Sequence, residues 1–189
     1  MTAKELQMTY TVPGMTDKEG AQVAELLQKQ LSRYNDLHLT LKHIHWNVVG
    51  PNFIGVHEMI DPQVELVRGY ADEVAERIAT LGGSPKGTPG AIIADRSWDD
   101  YSLERDTVQA HLAALDLVYD GVIEDTRKNI EETEEPDPIT NDMLIGHAAE
   151  LEKFQWFVRA HLENAGGQLQ HAGKKTEKGA ADSARKKSK

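Results

Sequence analysis

Apolar residues recur along most of this chain with the three- and four-residue spacing of a helix that buries one face. Val23, Leu26, Leu27, Leu31, Tyr34, Leu37, Leu41 and Ile44 form one such stripe and predict a helix over about 17–48. The run Thr16-Asp17-Lys18-Glu19 supplies a capping box at its start, and Val49-Gly50-Pro51-Asn52 stops it. Val64, Val67, Ala71, Val74, Ile78 and Leu81 predict a second helix over roughly 54–82, closed by Gly82-Gly83-Ser84-Pro85. A connector over 84–101 carries three glycine or proline clusters, with a short helix expected at Pro89–Asp95. Leu103, Val108, Leu112, Leu115, Val118, Val122 and Ile130 predict a third long helix over about 102–132. A fourth follows over about 139–165, after Glu134-Glu135-Pro136-Asp137-Pro138. No strand-like alternation and no internal repeat is visible.

Four long helices with a crossover between the second and third predict an all-α, ferritin-like four-helix bundle with a short extra helix in that crossover. The expected organisation is an N-terminal arm over 1–16, the bundle over 17–167 and a basic flexible tail over 168–189. Composition narrows the class further. There is no cysteine, hence no disulfide framework and no thiolate metal site. No stretch approaches a membrane span, and the first residues lack the apolar core of a secretion signal. A cytoplasmic protein with no membrane partner is expected.

The net charge of −10 is unevenly spread. Over Ala172–Lys189, Lys174, Lys175, Lys178, Arg185, Lys186, Lys187 and Lys189 outnumber Glu177 and Asp182, giving +5 there and −15 elsewhere. An acidic body suits cations, and a basic tail suits polyanions. The tail, rich in small and charged residues, is expected to be disordered. Its alternative reading is a solubilising appendage.

The candidate chemistry lies in His45, His57, Asp61, Asp72 and Glu76. Two imidazoles and three carboxylates form a mixed nitrogen and oxygen set suited to divalent iron, manganese or zinc. His57 and Asp61 are one turn apart, as are Asp72 and Glu76, while Asp61 and Asp72 lie about 16 Å apart along a helix axis. Metal–ligand bonds are only about 2 Å long, so one rigid helix cannot bring both pairs to one ion. The two pairs nevertheless face nearly the same side. An antiparallel copy of the helix would set each pair beside its partner's other pair, and a two-fold axis would generate two composite sites. His45 would come from the preceding helix. The competing readings are a solvated face for Asp72 and Glu76, an N-cap role for Asp61 before Pro62, and a structural role for His57. If the second helix starts near Phe53, it must kink at Pro62.

The run His45-Trp46-Asn47-Val48-Val49-Gly50-Pro51-Asn52-Phe53, followed by His57-Glu58-Met59-Ile60-Asp61 and then Asp72 and Glu76, closely resembles the signature of the Dps family, the DNA-binding proteins from starved cells. Glu152-Lys153-Phe154-Gln155-Trp156-Phe157 is similar to that family too, and the basic tail resembles its actinobacterial branch. The resemblance implies a hollow dodecamer built from two-fold dimers. It implies ferroxidase sites that take two Fe per intersubunit site, with His45, His57 and Asp61 from one subunit and Asp72 and Glu76 from its mate. Fe(II) would be oxidised by hydrogen peroxide or oxygen and stored as Fe(III) mineral, while the tail binds DNA without sequence preference at the nucleoid. The alternative is a structural DNA-compacting nucleoid protein without significant ferroxidase activity. Asp142, near the start of the fourth helix, is the candidate for a pore that admits iron, its other reading being stabilisation of the helix N-terminus. Trp46 and Trp156 are either electron donors or core-packing residues. His38 is a further candidate beside the ligands, or else a surface or core polar group.

Overall fold

The computed structural model describes residues 10–187. Helices α1 (Asp17–Asn47), α2 (Phe53–Thr80), α4 (Val108–Thr133) and α5 (Pro138–Leu162) form a four-helix bundle, α3 (Pro89–Asp95) lies in the crossover, and α6 (Glu177–Lys187) follows the bundle. Helix α1 packs along α2, α4 packs along α5, and α6 lies on α4. The core between them is filled by Leu27, Leu37, Leu41 and Ile44 of α1, Ile60, Val67 and Val74 of α2, Leu112 and Leu115 of α4, and Leu144, Leu151 and Val158 of α5. Leu27, Leu37, Leu41, Ile44, Val67, Val74, Leu112 and Leu115 are among the residues whose spacing predicted the helices.

Helix α1 starts as its capping box requires. The Thr16 hydroxyl accepts from the Glu19 N–H at 3.3 Å, and the Glu19 carboxylate accepts from the Thr16 N–H at 2.9 Å. Helix α2 runs unbroken through Pro62, so Asp61 sits inside it and is not its N-cap. That role falls to Asn52, held in the left-handed region at φ 64°. Pro62 has no N–H for the Glu58 carbonyl, and the neighbouring Gln63 amide donates to the Met59 carbonyl at 3.2 Å.

Three boundaries differ from expectation, each for a local reason. Helix α4 begins at Val108 rather than near 102, because Asp106–Thr107 (β2) pairs in parallel with Val48–Val49 (β1) and Thr107 then caps the helix through the Ala110 N–H. Helix α5 ends at Leu162 rather than 165, because the Asn164 side-chain oxygen accepts from the N–H groups of Gly166 and Gln168 and turns the chain out of the helix. The largest difference lies in the segment expected to be disordered. Thr176 caps α6 by accepting from the Gly179 N–H at 3.2 Å, and Ala180, Ala181 and Ala184 are fully buried. Ala181 rests among Leu103, Ala110 and Ala114.

The turn before α6 is anchored from the bundle. His171 is buried with its Nε2 2.8 Å from Asp116 Oδ2, and Arg159 and Gln155 also donate to the Asp116 carboxylate. Of the expected N-terminal arm, residues 1–9 lie outside the described residues. Val12 and Met15 pack against the core, and the Tyr10 carbonyl lies where any Cβ at Gly82 would stand.

Candidate metal centre and relatives

The turn between α1 and α2 brings the two histidines together. Gly50 at φ 100° and Asn52 at φ 64° reverse the chain within a few residues, laying the first turn of α2 against the last turn of α1. The rings of His45 and His57 stack at 3.6 Å between centroids and 24° between planes. Each contacts the other's backbone: His45 Nδ1 is 3.0 Å from the His57 carbonyl oxygen, and His57 Nδ1 is 2.9 Å from the His45 carbonyl oxygen. A carbonyl oxygen can only accept, so each Nδ1 must carry the proton. This sets the tautomer of the neutral form of both rings, in which Nε2 keeps the lone pair that a metal-binding imidazole needs.

Asp61 joins the pair, with Oδ1 3.2 Å from His45 Nδ1 and 2.7 Å from Lys42 Nζ. The hydrogen bond from Lys42 holds the Asp61 carboxyl below its ordinary value. Lys42 was not singled out from the sequence, although its position one turn before His45 was a usable signal.

Asp72 and Glu76 stand further along α2, both exposed. They share the unbroken rod of α2 with His57 and Asp61, so the separation of about 16 Å applies within one chain. Among the described residues of the single chain, no three His, Asp or Glu side chains are placed to hold one metal ion. Asp72 lines a depression of 320 Å³ together with His38, Asn35 and Arg68. Burial, followed by the Arg68 charge, pushes the His38 imidazole below its ordinary value.

A family model described as a ferritin-like domain matches residues 24–166. The DNA protection during starvation protein of Mycolicibacterium smegmatis is 80% identical over 180 residues, spanning 95% of this chain and 98% of that one. The chain belongs to the Dps family of ferritin-like proteins. Among solved structures, Mycobacterium smegmatis Dps superposes with a TM-score of 0.89 at 79% identity, covering 92% of this chain and 99% of that chain. A Streptomyces coelicolor Dps gives 0.86 at 59% identity, covering 88% and 99%.

Other residues of this Dps-family chain stand as follows. Trp46 is 70% exposed and Trp156 63% exposed, so neither packs the core of the chain, which corrects that alternative. Exposed Phe53 and Ile54 follow Trp46 across the turn and extend an apolar surface beside the histidine pair. Asp142 is exposed on the first turns of α5. Its neighbour Asp137 is instead buried, with both carboxylate oxygens on Arg77 Nη2 at 2.9 and 2.8 Å. Burial pushes the Asp137 carboxyl up, but hydrogen bonds from Thr140 and Arg77 outweigh it and hold the group below its ordinary value.

Of the basic tail residues, Lys174, Lys175, Lys178 and Lys186 are exposed. Arg185 instead pairs with Asp106 and Asp182, tying α6 to β2. Lys189 lies outside the described residues, as does the side chain of Lys187. No helix among the described residues is long and apolar enough to cross a membrane.

Proposed function

We propose that this protein is a ferroxidase and iron-storage cage that also binds and shields DNA. The observation that carries the first half is the pair of stacked histidines whose Nδ1 protons are fixed on backbone carbonyls, with Asp61 beside them and the complementary acids at the far end of the same helix. A two-fold partner would bring its Asp72 and Glu76 to His45, His57 and Asp61, making two composite sites per dimer, and a dodecamer would enclose the product. Each site would take two Fe(II) ions as substrate.

The chemistry follows from the ligand set. Neutral imidazoles hold Fe(II), and the three carboxylates favour the higher charge of Fe(III), so the site favours oxidation once an oxidant such as peroxide takes the electrons. Two iron ions supply both electrons that hydrogen peroxide needs to become water, and no hydroxyl radical is released. The acidic body attracts the cation, and Asp142 is the proposed lining of its pore. Lys42 holds Asp61 before iron arrives and must yield that oxygen when the cation binds.

DNA contact is assigned to Lys174, Lys175, Lys178, Lys186, Lys187 and Lys189, with Arg185 serving chiefly to hold α6 in place. The tail carries no aromatic residue, so it offers phosphate contacts and no base stacking. Many copies on one cage would make weak contacts add through avidity. The protein would then be nucleoid-associated in the cytoplasm.

Anaerobic Fe(II) titration followed by peroxide tests this reading, with the mass of the assembly measured on the same sample. Ferric absorbance should rise with little hydroxyl radical, and His57→Ala or Asp72→Ala should abolish the fast phase while leaving assembly intact. Wild-type protein that oxidises iron no faster than buffer would leave only a DNA-compacting role.

A further inference from the structure

The bundle core holds a second group of polar side chains, remote in sequence from the ligand cluster. Tyr34 of α1 is fully buried, and its hydroxyl lies 3.3 Å from Nδ1 of His147 on α5. His147 Nε2 lies 2.9 Å from a carboxylate oxygen of Glu73 on α2, whose side chain reaches the surface. Tyr70 stacks on His147 at 3.8 Å and sits 5.8 Å from the Tyr34 ring.

The direction of these hydrogen bonds is set by their chemistry. An ionised carboxylate can only accept, so His147 donates its Nε2 proton to Glu73 and keeps a lone pair on Nδ1. Tyr34 must then donate its hydroxyl proton to that nitrogen. Burial pushes the His147 imidazole down, against the pull of Glu73, which favours the neutral ring that can accept. Thr126 and Gln30 also hydrogen-bond the phenol, but a hydroxyl and an amide are not bases, and both hold other partners: Thr126 donates to the Val122 carbonyl while accepting from Gln30, and the Gln30 oxygen accepts from Asn129. Among the described residues, His147 is the one base positioned to take the Tyr34 proton.

We propose that Tyr34 is a redox-active residue, oxidised by one electron when peroxide meets a singly loaded iron site, with His147 receiving its proton. This rests on the ferroxidase reading. A lone Fe(II) gives peroxide one electron, yielding Fe(III), hydroxide and hydroxyl radical. The radical takes one electron from Tyr34 and becomes hydroxide, the phenolic O–H breaks, and its proton forms a new N–H bond at His147 Nδ1. The products are a tyrosyl radical, an imidazolium paired with Glu73, and hydroxide, so atoms and charge balance.

Tyr70, two residues before Asp72, connects the acidic half of the site to the core. Its hydroxyl has no hydrogen-bonded base among the described residues, so the hole passes on to Tyr34, whose proton has an acceptor in His147. The exposed Trp46 and Trp156 lack such shielding. A radical at Tyr34 is kept from solvent by the core packed around it.

Freeze-quench electron paramagnetic resonance on the assembled full-length protein tests the assignment. Protein loaded with substoichiometric Fe(II) and mixed with excess peroxide should give a tyrosyl radical. Tyr34→Phe should lose that signal, keep its rate of iron oxidation at full loading, and move oxidative damage to exposed aromatic residues. His147→Gln, which keeps a hydrogen-bonding group but no base, should shorten the radical's lifetime and alter its spectrum. An unchanged signal in Tyr34→Phe overturns the proposal, as does iron oxidation in the wild type without any tyrosyl radical. Photogenerated ruthenium(III) tris-bipyridine provides an oxidant independent of iron. If iron is not oxidised at all, the ferroxidase reading fails, while this oxidant still shows whether Tyr34 is the residue that yields its electron.

Discussion

Two inactive variants should restore each other when mixed. Asp61→Ala removes a proposed ligand from one end of α2, and Glu76→Ala removes one from the other. In a cage made of either variant alone, every composite site lacks a ligand, and the fast phase of iron oxidation should vanish. Co-expression in equal amounts changes the count. About half of the two-fold pairs are mixed, and in each mixed pair one of the two sites draws all five ligands from intact halves. The expected recovery is therefore about one quarter of the wild-type rate.

The complementary mixture carries the opposite sign. A double variant with both substitutions on one chain, mixed equally with wild type, should retain about one quarter of the activity rather than the one half expected for self-contained sites. The assay is the initial rise of ferric absorbance after peroxide, with subunit ratios measured by mass spectrometry. The physical basis is the unbroken α2 rod, which keeps Asp61 and Asp72 about 16 Å apart in any one chain. Mixed cages no faster than their parents would refute the composite site.

Three further outcomes are expected. Arg77→Met leaves Asp137 buried without its partner, which costs about 3–5 kcal/mol and at roughly 2–4 °C per kcal/mol lowers the thermal midpoint by about 6–20 °C. Calorimetry should also show Arg77→Met/Asp137→Leu recovering most of that loss, and no recovery would contradict the account. Because the Asp137 carboxyl is held below its unfolded value, its stabilising contribution is present above about pH 4 and disappears as the pH falls through the lower folded value. Ala181→Leu overpacks the α4–α6 contact by about 1–3 kcal/mol, raising tryptic cleavage at Lys174 and Lys175 by about 5- to 150-fold with the bundle intact; unchanged cleavage would mean α6 is not held there. Replacing Lys174, Lys175 and Lys178 by Gln should weaken DNA binding for every sequence and reduce the salt slope by about 1 for each phosphate-binding lysine replaced, as read by gel shift across a salt series, whereas an unchanged slope would free these lysines from that role.

The helices and the ligand-type residues were legible in the chain because both depend on spacing. The stripes from Val23 to Ile44 and from Val64 to Leu81 are periodic enough to fix two helices, and the capping box at Thr16 fixes where the first begins. The interval from Asp61 to Asp72 is a rigid length once the helix is assigned, so the proposal that a second copy completes the site follows without coordinates. Helix α6 was missed for a physical reason. Its buried face is alanine, which carries little hydrophobic signal, and it becomes a binding face only against Ala110, Ala114 and Leu103, residues 67 to 78 positions earlier in the chain.

By itself, then, the sequence determined the bundle and its crossover, and it supplied the residues proposed to bind a cation. Tertiary structure alone decided the rest, because hydrogen-bond direction depends on atoms distant in the chain. Only the turn at Gly50 and Asn52 brings the His45 and His57 rings onto each other's carbonyls and fixes their free nitrogens. Only packing shows that Arg185 is held by Asp106, that Asp137 belongs to Arg77, and that Tyr34 meets His147 across the core.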